Sequence, residues 1–227
     1  MHDPLAGSSW STPSVVAGFV EAESNATLLR FAAAERRRAP DGLVLDIGCG
    51  AGRNAVPLAR QGWRVLGTDL SWPMLSAARD RMRLDAARLS LALAPMDALP
   101  VRAGACDLVI AHGIWNLSRS MAELRRAIGE ASRIAAPGAG LFVFTFSRST
   151  LPPDASCVPG EPFIYTQFSG QPQCFLTREQ LTNELALAGF VPDGAVAFAE
   201  HNLPPANAVH AARAPVILEA GFRRVAR

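Results

Sequence analysis

Residues Leu43-Val44-Leu45-Asp46-Ile47-Gly48-Cys49-Gly50-Ala51-Gly52-Arg53-Asn54 set an almost unbroken apolar run directly against three glycines spaced two apart. An apolar run of this length reads as a strand buried on both faces, which is the situation of a strand in a parallel sheet. Glycines at the end of such a strand allow a tight turn and let backbone N–H groups approach a ligand where a Cβ would collide. A helical pattern with Ala55, Leu58 and Ala59 on one face follows, and Gly62 stops it. Strand, glycine turn and helix form the start of a nucleotide-binding unit, so the rest of the chain must supply parallel strands and crossover helices.

It does so at regular intervals. Further strands are expected at 64–68 ending in Asp69, at 89–94, at 106–111 leading into His112-Gly113-Ile114-Trp115-Asn116, and at 140–146. Between them lie helical patterns that carry Met74, Leu75, Ala78 and Met82, with Ser71 as N-cap, and Leu124, Ala127, Ile128, Ala131 and Ile134. Residues 1–39 form an N-terminal helical cap on this reading, in which Trp10 and Asn25 stand where they can cover a ligand. Residues 40–147 form the core. Residues 148–175, rich in proline and containing Tyr165, read as an insertion able to act as a lid. Residues 176–227 add a helix opened by a Thr177/Gln180 capping box and two late strands, at 195–199 and 214–219, expected to pair antiparallel at a sheet edge. The fold class is therefore α/β, a doubly wound, mostly parallel sheet with helices on both faces, in one domain spanning 1–227.

Composition narrows the function classes. Hydrophobic residues make up 49% of the 227, enough for one large core, and no apolar run reaches the roughly 18–20 residues needed to span a bilayer. Met1-His2-Asp3-Pro4 carries neither the basic nor the apolar region of a signal peptide, so a cytoplasmic location is expected. Cys49, Cys106, Cys157 and Cys174 are far apart and form no CxxC pair, which leaves them as free thiols and offers no metal site. All 22 basic residues are arginine, and the net charge of +2 gives no basic stripe for nucleic acid; Glu35-Arg36-Arg37-Arg38 reads as a solvated helix end.

Asp46, the glycine turn, Asp69, Asp97 and His112 all fall at the carboxyl ends of expected strands, where open parallel sheets bind their ligands. Asp69, about twenty residues beyond the glycines, is placed to accept hydrogen bonds from ribose hydroxyls. A dinucleotide site uses GxGxxG, but the third-glycine position here is Arg53 and the spacing is GxGxG through Gly48, Gly50 and Gly52. Together with the acid at Asp46, that spacing favours S-adenosyl-L-methionine (SAM) over a dinucleotide.

On these residues the chain resembles the class I SAM-dependent methyltransferases over about 40–225. Val44 to Gly52 is similar to their first motif, Gly67-Thr68-Asp69-Leu70-Ser71 to the second, Asp97-Ala98 to the acidic adenine loop, Cys106 to Ala111 to the fourth motif, and 175–190 to a common late segment. The resemblance implies a Rossmann-like seven-stranded sheet of order 3-2-1-4-5-7-6 with the last strand antiparallel. It implies that Gly48, Cys49, Gly50, Gly52 and Asn54 hold the methionine part of SAM with Asp46 near its amino group. Asp69 then binds the ribose, Leu70 and Met74 flank the adenine, Asp97 and Ala98 meet its edge, and Ala111 and His112 close the site. His112, Trp115, Trp10 and Tyr165 would line the acceptor side.

Methyl transfer is an in-line displacement in which the protein aligns the acceptor, excludes water and, where needed, takes a proton. His112 is the candidate base, the alternative being that it only hydrogen-bonds SAM or a neighbouring backbone. His201 and His210, near Asn202 and Asn207, are two further histidines able to reach the site from the late loop. The expected activity is methyl transfer from SAM to a small-molecule acceptor, giving S-adenosylhomocysteine. The alternatives are a SAM-binding sensor without turnover, a protein or RNA methyltransferase, and an NAD(P)-dependent oxidoreductase. Ala111-His112-Gly113-Ile114 replaces the Asn/Asp-Pro-Pro-aromatic run of amino-methylating nucleic-acid enzymes.

Overall fold

The computed structural model describes residues 4–83, 89–203 and 214–225, so His210 and Asn207 lie outside the described residues. Two helices, α1 (Pro13–Glu21) and α2 (Ala26–Arg38), precede the first strand, β1 (Leu43–Ile47). Thr12 stands before Pro13 at the start of α1, and the Asn25 side chain caps α2 by accepting from the Leu28 N–H at 2.9 Å. Then follow α3 (Ala55–Arg60), β2 (Arg64–Asp69), α4 (Trp72–Arg83), β3 (Leu89–Leu93), β4 (Cys106–His112), α5 (Met121–Ile134) and β5 (Ala135–Phe146). A short hairpin of β6 (Ile164–Tyr165) and β7 (Gln173–Cys174) leads to α6 (Arg178–Leu187), β8 (Phe190–Pro192), β9 (Ala199–His201) and β10 (Ile217–Arg224).

The main sheet runs β3-β2-β1-β4-β5-β10-β8, with β9 also paired to β10. The first five strands are parallel, and β10 runs antiparallel between β5 and the edge. This is the Rossmann-like doubly wound order expected from the sequence. The edge position differs in detail. It is filled by two short pieces, β8 and β9, where one strand at 195–199 was expected. Pro192 has no N–H to continue the ladder, and the Asp193 carboxylate accepts from Ala195 N at 2.9 Å in a tight local turn. The chain therefore bulges outward around Gly221, whose N–H donates to Val196 O at 3.1 Å, and pairing resumes only at Ala199.

Two cores sandwich the sheet. Ala127, Ile128, Ala131, Leu181 and Leu185 of α5 and α6 pack on Val109, Leu141, Val143 and Leu218. On the other face Leu28, Phe31, Val56, Leu58 and Leu75 of α2, α3 and α4 pack on Val44, Leu108, Ile110 and Phe142. At the amino-terminal end of β5, Arg223 joins the layers: it donates to Glu35 Oε1 at 2.8 Å, to Gly138 O at 2.9 Å and to Asp193 Oδ2. Among the described residues no helix is long and apolar enough to cross a membrane.

The proline-rich stretch 148–175 is tied down. Arg148 donates to the carbonyls of Leu151, Pro152, Pro153 and Ala155 and to the Tyr165 hydroxyl at 3.1 Å. Phe175, fully buried, packs against Tyr165, Phe146 and Phe168. Tyr165, expected to line the acceptor side, is a buried member of this cluster with its hydroxyl engaged by Arg148.

Candidate active site

The three glycines between β1 and α3 all have positive φ, 68° at Gly48, 53° at Gly50 and 76° at Gly52, a region that side chains with a Cβ enter only at a cost. Close approach adds to the requirement. A Cβ at Gly48 would lie 2.7 Å from Ile114 Cδ1, and one at Gly50 would lie 3.3 Å from Phe19 of α1 and 3.9 Å from Met74 Sδ of α4. The turn is thus covered by α1 from one side and by the segment after β4 from another. Trp10 stacks edge-on with Phe19 and accepts the Ser71 hydroxyl on its carbonyl at 3.1 Å, which fastens the N-terminal cap over the glycines.

Asp69 ends β2 and ties the turn to it. Its Oδ2 accepts from Gly50 N at 2.9 Å and its Oδ1 from Ser71 N at 2.8 Å. Asn54, buried just beyond the glycines, accepts from Asn25 N at 3.1 Å, so the amino-terminal end of α2 is hung on the turn. Cys49 is buried against Gly67 of β2, and burial beside Asp46 and Asp69 pushes its thiol well above its ordinary range. Leu70 and Met74 follow at the start of α4, half-buried and buried respectively. Asp97 and Ala98 lie beyond β3, and the Asp97 carboxylate is held by Arg126 Nε of α5 at 3.1 Å.

Asp46 sits one residue before the end of β1, 2% exposed, with its Oδ2 making no hydrogen bond among the described residues. Burial raises its carboxyl to about 7; the nearby Arg53 guanidinium acts in the opposite sense, Asp69 adds to the rise, and the Ala55 N–H again lowers it. A carboxylate oxygen buried without a donor is costly, and the natural remedy is a cation or donor brought by a ligand.

Arg53 also reaches β4, where its Nη2 lies 2.8 Å from His112 Nδ1 and 3.3 Å from Nε2. The His112 ring stacks on Phe144 at a centroid distance of 4.0 Å, and Asn25 Nδ2 lies 3.4 Å from its Nε2. Burial, then the Arg53 charge, drives its imidazole down to about 3. His112 is therefore neutral at physiological pH and serves as an acceptor for Arg53. In this arrangement its low proton affinity favours the alternative reading, in which His112 is a hydrogen-bonding partner, over that of a general base. Ala111, before it, is fully buried in β4.

Trp115 is also corrected. It is fully buried in the α5 side of the core, because Gly113 at φ 72° turns the chain so that Ile114, and not Trp115, covers Gly48. Conversely, several polar groups were passed over in the sequence. Arg53 counted there only as a departure from a dinucleotide fingerprint, and Asn25 only as part of a cover. Glu219 of β10 is 4% exposed and accepts from Asn25 Nδ2 at 2.7 Å; the one signal for it was an acid inside the apolar run Ile217 to Phe222. His201 joins the same cluster, its Nε2 3.3 Å from Glu219 Oε1. Arg53, His112, Asn25, Glu219 and His201 thus form a continuous polar patch along the carboxyl ends of β4 and β5, with Asp46 of β1 close enough to feel the Arg53 charge.

A family model for a methyltransferase domain matches residues 44–138, which hold the glycine turn, Asp69 and His112. The chain is 37% identical over 114 residues to a ubiquinone/menaquinone biosynthesis C-methyltransferase of Syntrophotalea carbinolica, covering 49% of this chain and 46% of that protein. It is 30% identical over 165 residues to the demethylmenaquinone methyltransferase of Thermus thermophilus, covering 65% of this chain and 73% of that one. The fold also matches the crystal structure of 1,6-didemethyltoxoflavin-N1-methyltransferase from Burkholderia thailandensis with a TM-score of 0.63 at 20% identity, over 88% of this chain and 79% of that one. The chain spans about half the length of the first curated relatives it matches. Fold and glycine turn together define a Rossmann-like methyltransferase domain. The chain belongs to the class I SAM-dependent methyltransferases, whose cofactor is S-adenosyl-L-methionine.

Proposed function

We propose that this protein transfers the methyl group of SAM to a small-molecule acceptor and releases S-adenosylhomocysteine. The observation that carries the reading is the buried Asp46 beside the half-buried Arg53 at the glycine turn, one an acid with an oxygen that has no hydrogen-bond partner among the described residues and the other a guanidinium. The amino-acid end of SAM is a zwitterion, so its ammonium matches Asp46 and its carboxylate matches Arg53 in a way that a pyrophosphate does not. Asp69, already oriented by two backbone donors, has the geometry to accept ribose hydroxyls. Met74 and Leu70 supply apolar surface for the adenine, and Asp97 with Ala98 its edge contact. When bound, SAM supplies an activated methyl group; the chain's own residues orient the acceptor, hold it dry and remove its proton.

A small acceptor is favoured because the reacting side is roofed. Asn25 of the N-terminal cap lies against His112 and Glu219, and Trp10 and Phe19 of the same cap close the glycine turn. The relatives' names point the same way, to quinone precursors and a toxoflavin precursor. The location we infer is the cytoplasm, where SAM is made. Incubation with methyl-labelled SAM and separate pools of small phenols, quinols, amines and thiols, of RNA, and of protein tests the reading. Label in a small-molecule pool supports it. Label only in RNA or protein, or tight SAM binding with no transfer to any pool, overturns it.

A further inference from the structure

Strand β10 runs Ile217-Leu218-Glu219-Ala220-Gly221-Phe222 and is buried throughout this stretch, so Glu219 costs stability unless something at the site uses it. Its place follows from the register. His112 of β4 pairs with Phe144 of β5, and Phe144 pairs with Glu219, which puts the three side chains on one rung and one face of the sheet. His201 pairs with Ile217, which pairs with Phe146, so the imidazole lies on the same face one step nearer the carboxyl end of β5. A carboxylate 5% exposed thus stands behind an imidazole 46% exposed, with Nε2 to Oε1 at 3.3 Å. Asn25 Nδ2 fixes the other carboxylate oxygen at 2.7 Å and links it to His112.

We propose that Glu219 and His201 form the proton-accepting dyad of the reaction, resting on the small-molecule transfer proposed above, and that the acceptor is a protic oxygen or nitrogen nucleophile. His201 turns its Nε2 side to Glu219 Oε1 at 3.3 Å; drawing that ion-pair contact into a hydrogen bond when the acceptor is seated leaves the Nδ1 lone pair for the acceptor. As the acceptor's lone pair forms the new bond to the methyl carbon, the methyl–sulfur bond breaks with its pair going to sulfur. The acceptor's X–H proton passes to Nδ1, and the resulting imidazolium is paired with the Glu219 carboxylate. His112 is the poorer acceptor of this proton, because the Arg53 guanidinium faces its Nδ1 at 2.8 Å and opposes a positive charge on the ring. The charged groups near His201 are Glu219 from β10 and Glu200 from its own strand. Glu200 is turned to the opposite face, where it accepts from Ser147 and Ser149. Beyond Asn25 stand His112 and Arg53.

Long-range proton–nitrogen spectra of the intact protein test the dyad without any acceptor. Neutral His201 is expected as the Nε2–H tautomer in the wild type. In E219Q the amide oxygen must accept from Asn25, so the amide NH2 faces the imidazole and His201 becomes the Nδ1–H tautomer. An Nδ1–H tautomer in the wild type, or the same tautomer in both proteins, overturns the proposal. In turnover with catechol, methylhydroquinone or aniline as acceptor, H201Q is expected to lose the acidic limb of the pH profile. Its kcat should fall about 100-fold, within the range of general-base catalysis, with SAM affinity unchanged. A wild-type kcat in H201Q also overturns the dyad. If the wild-type protein methylates no small molecule at all, the proposed function fails, while the tautomers still decide the dyad.

Discussion

The buried Asp46 makes a quantitative prediction about cofactor binding. Its carboxyl is raised to about 7, from an ordinary 3.8, and its Oδ2 accepts no hydrogen bond among the described residues. An ammonium placed there needs the ionised form, so binding must expel whatever proton the free protein carries. At pH 5 only about 1% of the free protein has Asp46 ionised, so SAM should bind about 100-fold more weakly at pH 5 than at a plateau near pH 7.5. Above about pH 8 the α-amino group of the ligand begins to lose its own proton, so the window is pH 5 to 7.5. Calorimetric titration with SAM in buffers of different ionisation heat reads the proton directly: about half a proton released at pH 7 and nearly a whole one at pH 5.5. The stability of the free protein should follow the opposite sign. The folded-state value lies above the unfolded one, so stability is fully present below about 3.8 and is lost as pH rises through 7. The loss amounts to about 4 kcal/mol. D46N should raise the melting temperature of the free protein at pH 7.5, weaken SAM binding and abolish the proton release. A wild-type affinity flat from pH 5 to 7.5 with buffer-independent heat would refute the reasoning.

Four further outcomes follow from the geometry. Replacing Arg53 by Met removes the charge beside His112 and should raise that imidazole's proton affinity, seen as an upward shift of its titration by NMR. G48A places a Cβ against Ile114 at a φ of 68°, and should cost about 2–4 kcal/mol by urea unfolding together with most of the SAM affinity. R223M leaves Glu35 and Asp193 without their shared cation and should destabilise the fold by about 3–5 kcal/mol, with SAM affinity retained in the folded fraction. R148A unties the carbonyls of 151–155, so limited proteolysis should cut the insertion at least several-fold faster while the core stays intact.

Much of the fold was readable because burial leaves a periodic trace. The apolar runs of β1, β4 and β5 are nearly continuous, since both faces are covered, and the helices between them keep a single apolar stripe. The edge was less readable: whether 190–201 forms one strand or two depends on how Val196 meets Gly221, a contact across 25 positions that no local pattern encodes. The cofactor side of the site was legible for the same reason as the core, because glycines at positive φ and acids at strand ends are local requirements. The acceptor side was not. Trp115 looked exposed to the site by its position after β4, yet one glycine sends it into the core. Glu219 and His201 meet through sheet register and Asn25 joins them from the start of α2, while His112 loses its basicity first to burial and then to an arginine 59 residues earlier.

The most direct test of the central claim is a crystal structure of the protein with S-adenosylhomocysteine bound. The ligand's ammonium should donate to Asp46 Oδ2, its carboxylate should face Arg53, and its ribose hydroxyls should lie on Asp69. A ligand bound elsewhere, or one that leaves Asp46 Oδ2 without a donor, would contradict the account.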